Sequence, residues 1–258
     1  MIQSGLLAHT VEKNLMPVKP ELKIDWATND AAKFACLNWH YAKAVPVGKL
    51  VKVGVWENKK FIGCVLFGRG ANKNMPKPYG LGQDECVELV RVALTKHDTP
   101  VSKIMMWAIK FLNKSNPGIR LIVSYADLDS NHHGGIYQAT NWIYEGLFGK
   151  DSVSAFIING KKTHRKSIDS LGVKQSISEV RRCLDPNAKE FRTKGKHKYL
   201  MPLDKDMSAK IQRLAKPYPK RVKQAMTGDQ PEQRRRDTDP PAPSHAENQP
   251  FAEVTNGN

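Results

Sequence analysis

The chain has 258 residues, 40% of them hydrophobic and 26% charged, enough for one substantial core domain with extensions. No apolar run approaches the roughly 20 residues of a membrane-spanning helix, and the four cysteines (Cys36, Cys64, Cys86, Cys183) include no CxxC pair, which argues against a disulfide framework or a cysteine-rich zinc site. Against 25 acidic residues stand 41 basic ones, a net charge of +16, and an excess of that size attracts polyanions, nucleic acid first among them.

The N-terminus MIQSGLLAHT lacks the basic and apolar regions of a signal peptide, so a cytoplasmic protein is expected. Residues 1–20, with Pro17 and Pro20, read as a loosely held arm. Leu22-Lys23-Ile24 is a short strand. Thr28 or Asn29 caps a helix that runs to about Trp39. Leu50–Trp56 and Phe61–Phe67 are β-rich runs joined by Glu57-Asn58-Lys59-Lys60, a hairpin. The loop from Gly68 to Gly82 carries Arg69, Lys73 and Lys77, and its length is typical of functional loops. Cys86–Leu94 is the next strand, interrupted by Glu88 and Arg91. His97-Asp98-Thr99-Pro100 opens a helix to about Lys114, with Ile104, Trp107, Ala108, Phe111 and Leu112 on its apolar face. Asn116-Pro117-Gly118 stops it.

Leu121-Ile122-Val123 begins a strand that turns polar at Ser124, Tyr125 and Asp127. A turn-prone loop follows (Asp129, Ser130, Asn131, Gly134, Gly135), and Tyr137, Gln138, Asn141, Trp142 and Tyr144 continue at helical spacing. Ala155–Asn159 reads as a strand, Lys161–Lys166 as a basic turn, Ser178–Leu184 as a helix, Gly195–Leu203 as a final edge strand and Lys205–Leu214 as a basic helix. The segment 161–223 carries 19 basic and 6 acidic residues, a block suited to phosphate contact. The domain division expected is an arm (1–20), a catalytic core (21–160), a basic extension packed on it (161–224) and a disordered tail (225–258). The element order is β-α-β-β-β-α-β-α-β. It predicts an α/β fold with a mixed, mostly antiparallel sheet flanked by helices, and it resembles the GNAT acyltransferases, in which splayed strands around the crossover helix form the donor cleft.

A strand end that delivers polar groups into a Gly-rich loop is a common active-site plan. Asp127 suits a general base or an orienter of one, with an Asx-turn as the structural alternative. His132 and His133 are adjacent imidazoles with no HxH or HxxxH spacing, so acid/base or phosphate contact fits them better than a metal. If the helix continues, Tyr137 shares a face with Asn141 and Gln138 with Trp142. Amides so placed could read adenine. Trp39-His40-Tyr41 offers either core packing or a stacking platform for an extruded base.

The run SYADLDSNHHGGIYQATNWIYEG, Ser124 to Gly146, resembles the signature of the phage Mom family of adenine-modifying proteins. The likeness extends to His40-Tyr41, to VELVRVAL with Arg91, and to Lys196-His197-Lys198-Tyr199 and Pro217-Tyr218-Pro219-Lys220, covering about residues 36–220. Asn131, His133 and Val90 depart from the residues usual in that family. The resemblance implies a GNAT-like fold and transfer of a carbamoylmethyl (acetamido) group to N6 of adenine in phage DNA, which shields it from restriction.

On that reading Asp127 or Tyr137 handles the amine proton, with His40 as the alternative base and His132 in the catalytic loop. Ser124 and Arg91 orient donor or base. Trp39 and Tyr41 stack, Gln138 and Asn141 contact the base, and Lys161, Lys162, Arg165, Lys166, Lys196 and Lys198 hold DNA phosphates. The fold resemblance suggests an acetyl-CoA-like donor. Acetyl-CoA enzymes, however, place a Gly-rich diphosphate-binding loop before the crossover helix, where this chain reads TKHDTPVSK without glycine. The donor and any metal requirement are left open. A GNAT-type N-acetyltransferase with another substrate and a non-catalytic phage DNA-binding protein are the competing readings.

Overall fold

A computed structural model describes residues 19–70 and 72–220. Most of the expected arm and the whole expected tail lie outside the described residues. The first half runs β1 (Leu22–Trp26), α1 (Asn29–Trp39), β2 (Leu50–Glu57), β3 (Lys60–Gly68), β4 (Cys86–Leu94) and α2 (Val101–Ser115). Then come β5 (Leu121–Asp127), α3 (Gly135–Gln138), β6 (Ile143–Phe148), β7 (Val153–Ile158) and β8 (Lys161–His164). The chain continues with α4 (Arg165–Asp169), α5 (Ile177–Cys183), β9 (Lys189–Arg192), β10 (Lys196–Pro202) and α6 (Lys205–Gln212).

A seven-stranded sheet has the order β1-β2-β3-β4-β5-β10-β6. Its pairs are antiparallel except β4 with β5, which α2 connects as a crossover. The parallel pairing covers only Cys86–Glu88 against Leu121–Val123. Past that point the two strands separate, which is the splay expected of a GNAT-like sheet. The β2–β3 hairpin closes through Asn58 and Lys59, both in the left-handed region (φ 49 and 65). Two such residues make the turn whose twist matches antiparallel strands.

One sheet face is covered by α2, whose Ile104, Met105, Ala108, Ile109 and Leu112 pack on Val65, Phe67, Leu89 and Ile122. The other carries α1 through Ala31, Ala32, Ala35 and Cys36 against Cys64, Leu66 and Ala93. Side chains this small let the helix sit close to the strands. Thr28 supplies the expected cap, its Oγ1 accepting from Ala31 N at 3.1 Å. On the same side, α6 adds Met207 and Ile211 over Leu121, Val123 and Leu200.

Four features differ from the sequence reading. Trp107 is 47% exposed, because Met105 and Ile109 fill the core positions beside it. The helix expected across Tyr137–Tyr144 is one turn long, since Asn141 adopts φ 58 and β6 follows. Lys196–Pro202 is an interior strand rather than an edge, lying between β5 and β6. The expected basic turn is β8 plus α4. With β7 and β9 it belongs to a separate three-stranded sheet, packed on Phe156, Ile168, Val180 and Ala188. The open edge of β6 is strapped by the segment after α6: Lys216 N donates to Tyr144 O (2.8 Å) and the Tyr218 hydroxyl to Trp142 O (2.6 Å). Covering an edge in this way blocks stray strand pairing.

Candidate active site

The splay between β4 and β5 is where the chain concentrates unusual chemistry. Where β4 leaves β5, its register with β3 also shifts: Leu66 faces Arg91 while Phe67 faces Leu89. One extra residue on β4 is a β-bulge, which re-aims side chains. Leu89 and Val92 both pack on the α2 side, and Arg91 is turned toward α1, where its Nη1 lies 2.8 Å from His40 Nδ1.

Ser124 on β5 is fully buried. Its Oγ lies 2.9 Å from Leu89 O and 2.8 Å from the Tyr137 hydroxyl. A carbonyl can only accept, and serine has one hydroxyl proton. Ser124 therefore donates to Leu89 O, and Tyr137 donates to Ser124. The bond thus bridges the strands where their ladder has ended. Burial pushes Tyr137 up to about 12, with the Ser124 contact working against it. The phenol stays protonated, so Tyr137 is a poor base but a fixed donor with acceptor capacity to spare.

His40 is buried and lowered to about 4, by burial first and then by Arg91, His132 and Lys43. Its Nδ1 also faces Ala42 N at 3.1 Å. An Nδ1 that accepts from two donors assigns the proton to Nε2, so this ring holds Arg91 in place instead of acting as a base. Tyr41 is exposed and meets His132 edge-on, centroids 4.6 Å apart. His132 is itself lowered by burial, with Asp127 opposing.

Asp127 does what the structural alternative foresaw. Its Oδ1 accepts from Asp129 N (3.0 Å) at the turn after β5, and its Oδ2 lies 3.4 Å from Lys196 Nζ. The carboxylate is occupied in shaping the loop. That loop reverses through Asn131 (φ 56), a residue that tolerates the left-handed region. At Gly134 (φ 74) an added Cβ would run into the Tyr199 ring. Tyr199 donates its hydroxyl proton to His133 O (2.9 Å), and Gln138 Nε2 reaches both that carbonyl and the Tyr199 oxygen (3.3 and 3.2 Å). Gln138 is thereby a clamp on the loop.

A carboxyl to which the sequence reading gave no role stands where the two strands part. Glu88 is the last residue of β4 paired with β5, is half-buried, and has no hydrogen-bond partner among the described residues. Burial raises it, with Lys196 opposing. Its charge is felt by Tyr137 and Tyr125. It also lies against Gly70 (φ 73), where an added Cβ would sit 2.5 Å from Oε2. A strand residue between Val87 and Leu89 reads as a solvent-facing alternation. Only the tertiary structure places it where β4 parts from β5.

Three expected contacts fall elsewhere. Trp39 packs between Phe34 and Phe61 (centroids 5.1 and 5.8 Å), in the α1–β3 core and away from the splay. Asn141 is exposed and, with the helix ended, shares no face with Tyr137. Lys198 is not a surface cation: it is 7% exposed, and its Nζ pairs with Glu145 at 3.1 Å. Burial follows from its strand lying inside the sheet. Lys161, Lys162, Arg165 and Lys166 are exposed on the second sheet and its helix. Lys162 Nζ lies 3.4 Å from the Phe191 ring centroid. Lys196 is exposed beside Asp127. Among the described residues no group of three or more His, Cys, Asp or Glu side chains could hold a metal ion, and no helix is long and apolar enough to cross a membrane.

Comparison with known families adds the decisive observation. The Mom protein family matches residues 21–220, which spans both the splay and the second sheet. The chain belongs to the Mom protein family. No curated protein matches it. Among solved structures, a Bacillus subtilis acetyltransferase in complex with CoA aligns at TM-score 0.40 and 13% identity, covering 72% of this chain and 100% of that one. A putative Acinetobacter baylyi acetyltransferase gives TM-score 0.42 and 12% identity, covering 73% and 96%. A probable GNAT-family acetyltransferase from Chromobacterium violaceum gives 0.40 and 9%, covering 78% and 95%. Likeness at this level says nothing about ligands or chemistry. Within the Mom family signature, Ser124, Tyr137 and Gln138 have the structural partners described above, whereas Glu88 lies outside the stretch Ser124–Gly146.

Proposed function

We propose that this protein is a transferase that modifies adenine in DNA, placing a carbamoylmethyl group on N6. The observation that carries the reading is the Ser124–Tyr137 hydrogen bond at the β4–β5 splay of a Mom-family chain, with Glu88 at the residue where the two strands part.

The exocyclic amine of adenine is a weak nucleophile, because its lone pair is delocalised into the ring. Attack requires removal of a proton as the new bond forms and a donor held in line. Glu88 is the group for the proton: a carboxyl raised by burial is a stronger base than a solvated one. The N6 nitrogen bonds to the donor's methylene carbon, the leaving group departs with the bonding pair, and the N6 proton passes to Glu88. Tyr137, held by Ser124, offers its oxygen to the second N6–H and fixes the amine's orientation. Arg91, held by His40, is a cation for charge that develops on the leaving group. Tyr41 and His132 form an aromatic corner at the mouth, suited to a base taken out of the duplex stack.

The exposed cations Lys161, Lys162, Arg165 and Lys166 suit the flanking phosphates, which supply affinity without sequence choice. In a phage, adenine so altered escapes host restriction enzymes. The test is mass spectrometry of nucleosides from DNA of cells expressing the chain. An adenosine adduct of carbamoylmethyl mass supports the reading, and unmodified adenosine from folded, expressed protein refutes it.

A further inference from the structure

The turn before α2 is where an acetyl-CoA enzyme of this fold would cradle the diphosphate. Such a cradle needs backbone N–H groups free to point at an anion, and glycines that let the backbone approach it. The corresponding residues here are Thr95 to Pro100, with no glycine and with a proline that has no N–H to give. Two of the turn's amides are also already taken. Glu57, at the end of β2 and 7% exposed, reaches across to it. Asp98 N donates to Oε2 at 2.9 Å, and Thr99 N and Thr99 Oγ1 donate to Oε1 at 2.7 and 2.6 Å. Burial alone would raise this carboxyl, yet the hydrogen bonds from Thr99 and Asp98 outweigh it and bring it below the ordinary range. Glu57 is therefore ionised at neutral pH and occupies the Asp98 and Thr99 amides as an anion of the protein's own.

We infer that Glu57 closes the diphosphate position, and that the donor for this enzyme is not a coenzyme A thioester anchored at α2. The turn is a structural joint between the β2–β3 hairpin and the crossover helix. The inference rests on the proposed transferase reading only in assuming a donor. It concerns how that donor is held, so its failure would leave the adenine modification standing. A donor that fits must be gripped within the splay itself, by groups such as Arg91, and it needs no nucleotide handle at the helix.

The experiment is a titration of the full-length protein with coenzyme A, followed through the amide NMR resonances of Asp98 and Thr99. Salt at about 0.3 M suppresses diffuse attraction between a basic protein and a polyanion. The expected result is that these two amides stay unmoved up to millimolar ligand. A saturable shift of either would overturn the inference. Glu57→Ser gives the converse reading. With the carboxylate gone, inorganic pyrophosphate should shift both amides in the variant and neither in the parent. If the variant does not fold, the parental titration decides alone.

Discussion

Glu88→Gln separates a catalytic carboxyl from a structural one, because the two roles move activity and stability in opposite directions. The amide keeps the shape of the side chain, so its place beside Gly70 is preserved. Glu88 has no hydrogen-bond partner among the described residues, and the substitution breaks none there. Its carboxyl is raised in the fold, chiefly by burial. A raised carboxyl stabilises the fold while protonated, below its unfolded pKa, and that contribution is lost as pH rises through the folded value. Above the folded value the ionised Glu88 therefore costs stability, and there Glu88→Gln should melt no lower than the parent. The advantage should vanish in acid, where both side chains are neutral. Activity should fall instead. General-base catalysis is worth about 10²–10⁴-fold, or roughly 3–5 kcal/mol of barrier. The adenosine adduct in cellular DNA, measured by mass spectrometry at matched expression, should drop by that order. Parental adduct levels in a folded Glu88→Gln protein would refute the assignment. A lowered melting temperature with activity lost in proportion would show a structural role.

Tyr137→Phe removes the donor to Ser124 and should cost about 1 kcal/mol of stability, with adduct formation reduced far more than that loss explains; equal effects in urea titration and adduct yield would count against orientation by the phenol. His40 should make the protein acid-sensitive. Its folded value near 4 lies below the unfolded value of roughly 6.5, so its contribution is complete above the unfolded value and is lost as pH falls toward the folded one. That contribution amounts to about 3 kcal/mol. Denaturant midpoints across that window should fall for the parent and stay flatter for His40→Asn. The lysines should divide by burial. Replacing Lys161 and Lys166 with alanine should lower the slope of log affinity for DNA against log salt by roughly 0.9 for each phosphate no longer neutralised, with melting unchanged. Lys198→Met, which takes the cation from the partly buried Glu145 while the Tyr79 hydroxyl still donates to it, should destabilise by up to about 3 kcal/mol, and a melt unchanged from the parent would contradict the pairing.

The composition and local patterns determined much of this protein. The β-rich runs Leu50–Trp56 and Phe61–Phe67 with Asn58-Lys59 between specified a hairpin, Thr28 specified a helix start, and the polar turn of β5 at Ser124 marked a strand end with chemistry. The dense motif from Ser124 to Gly146 carried the family. Those features are written in neighbouring residues, through backbone preference and side-chain period. What the tertiary structure decided is which distant groups meet. The helix after Gly135 stops because Asn141 takes a left-handed turn and β6 finds a partner in β10, a pairing that overrides helical spacing. Lys198 is buried because that partner is an interior strand, which no local pattern announces. Asp127, the conspicuous carboxylate of the motif, is spent on the loop. Glu88, inconspicuous in its strand, stands at the residue where β4 and β5 part. Strand separation is a property of two segments and of the helix that joins them, and neither segment encodes it alone.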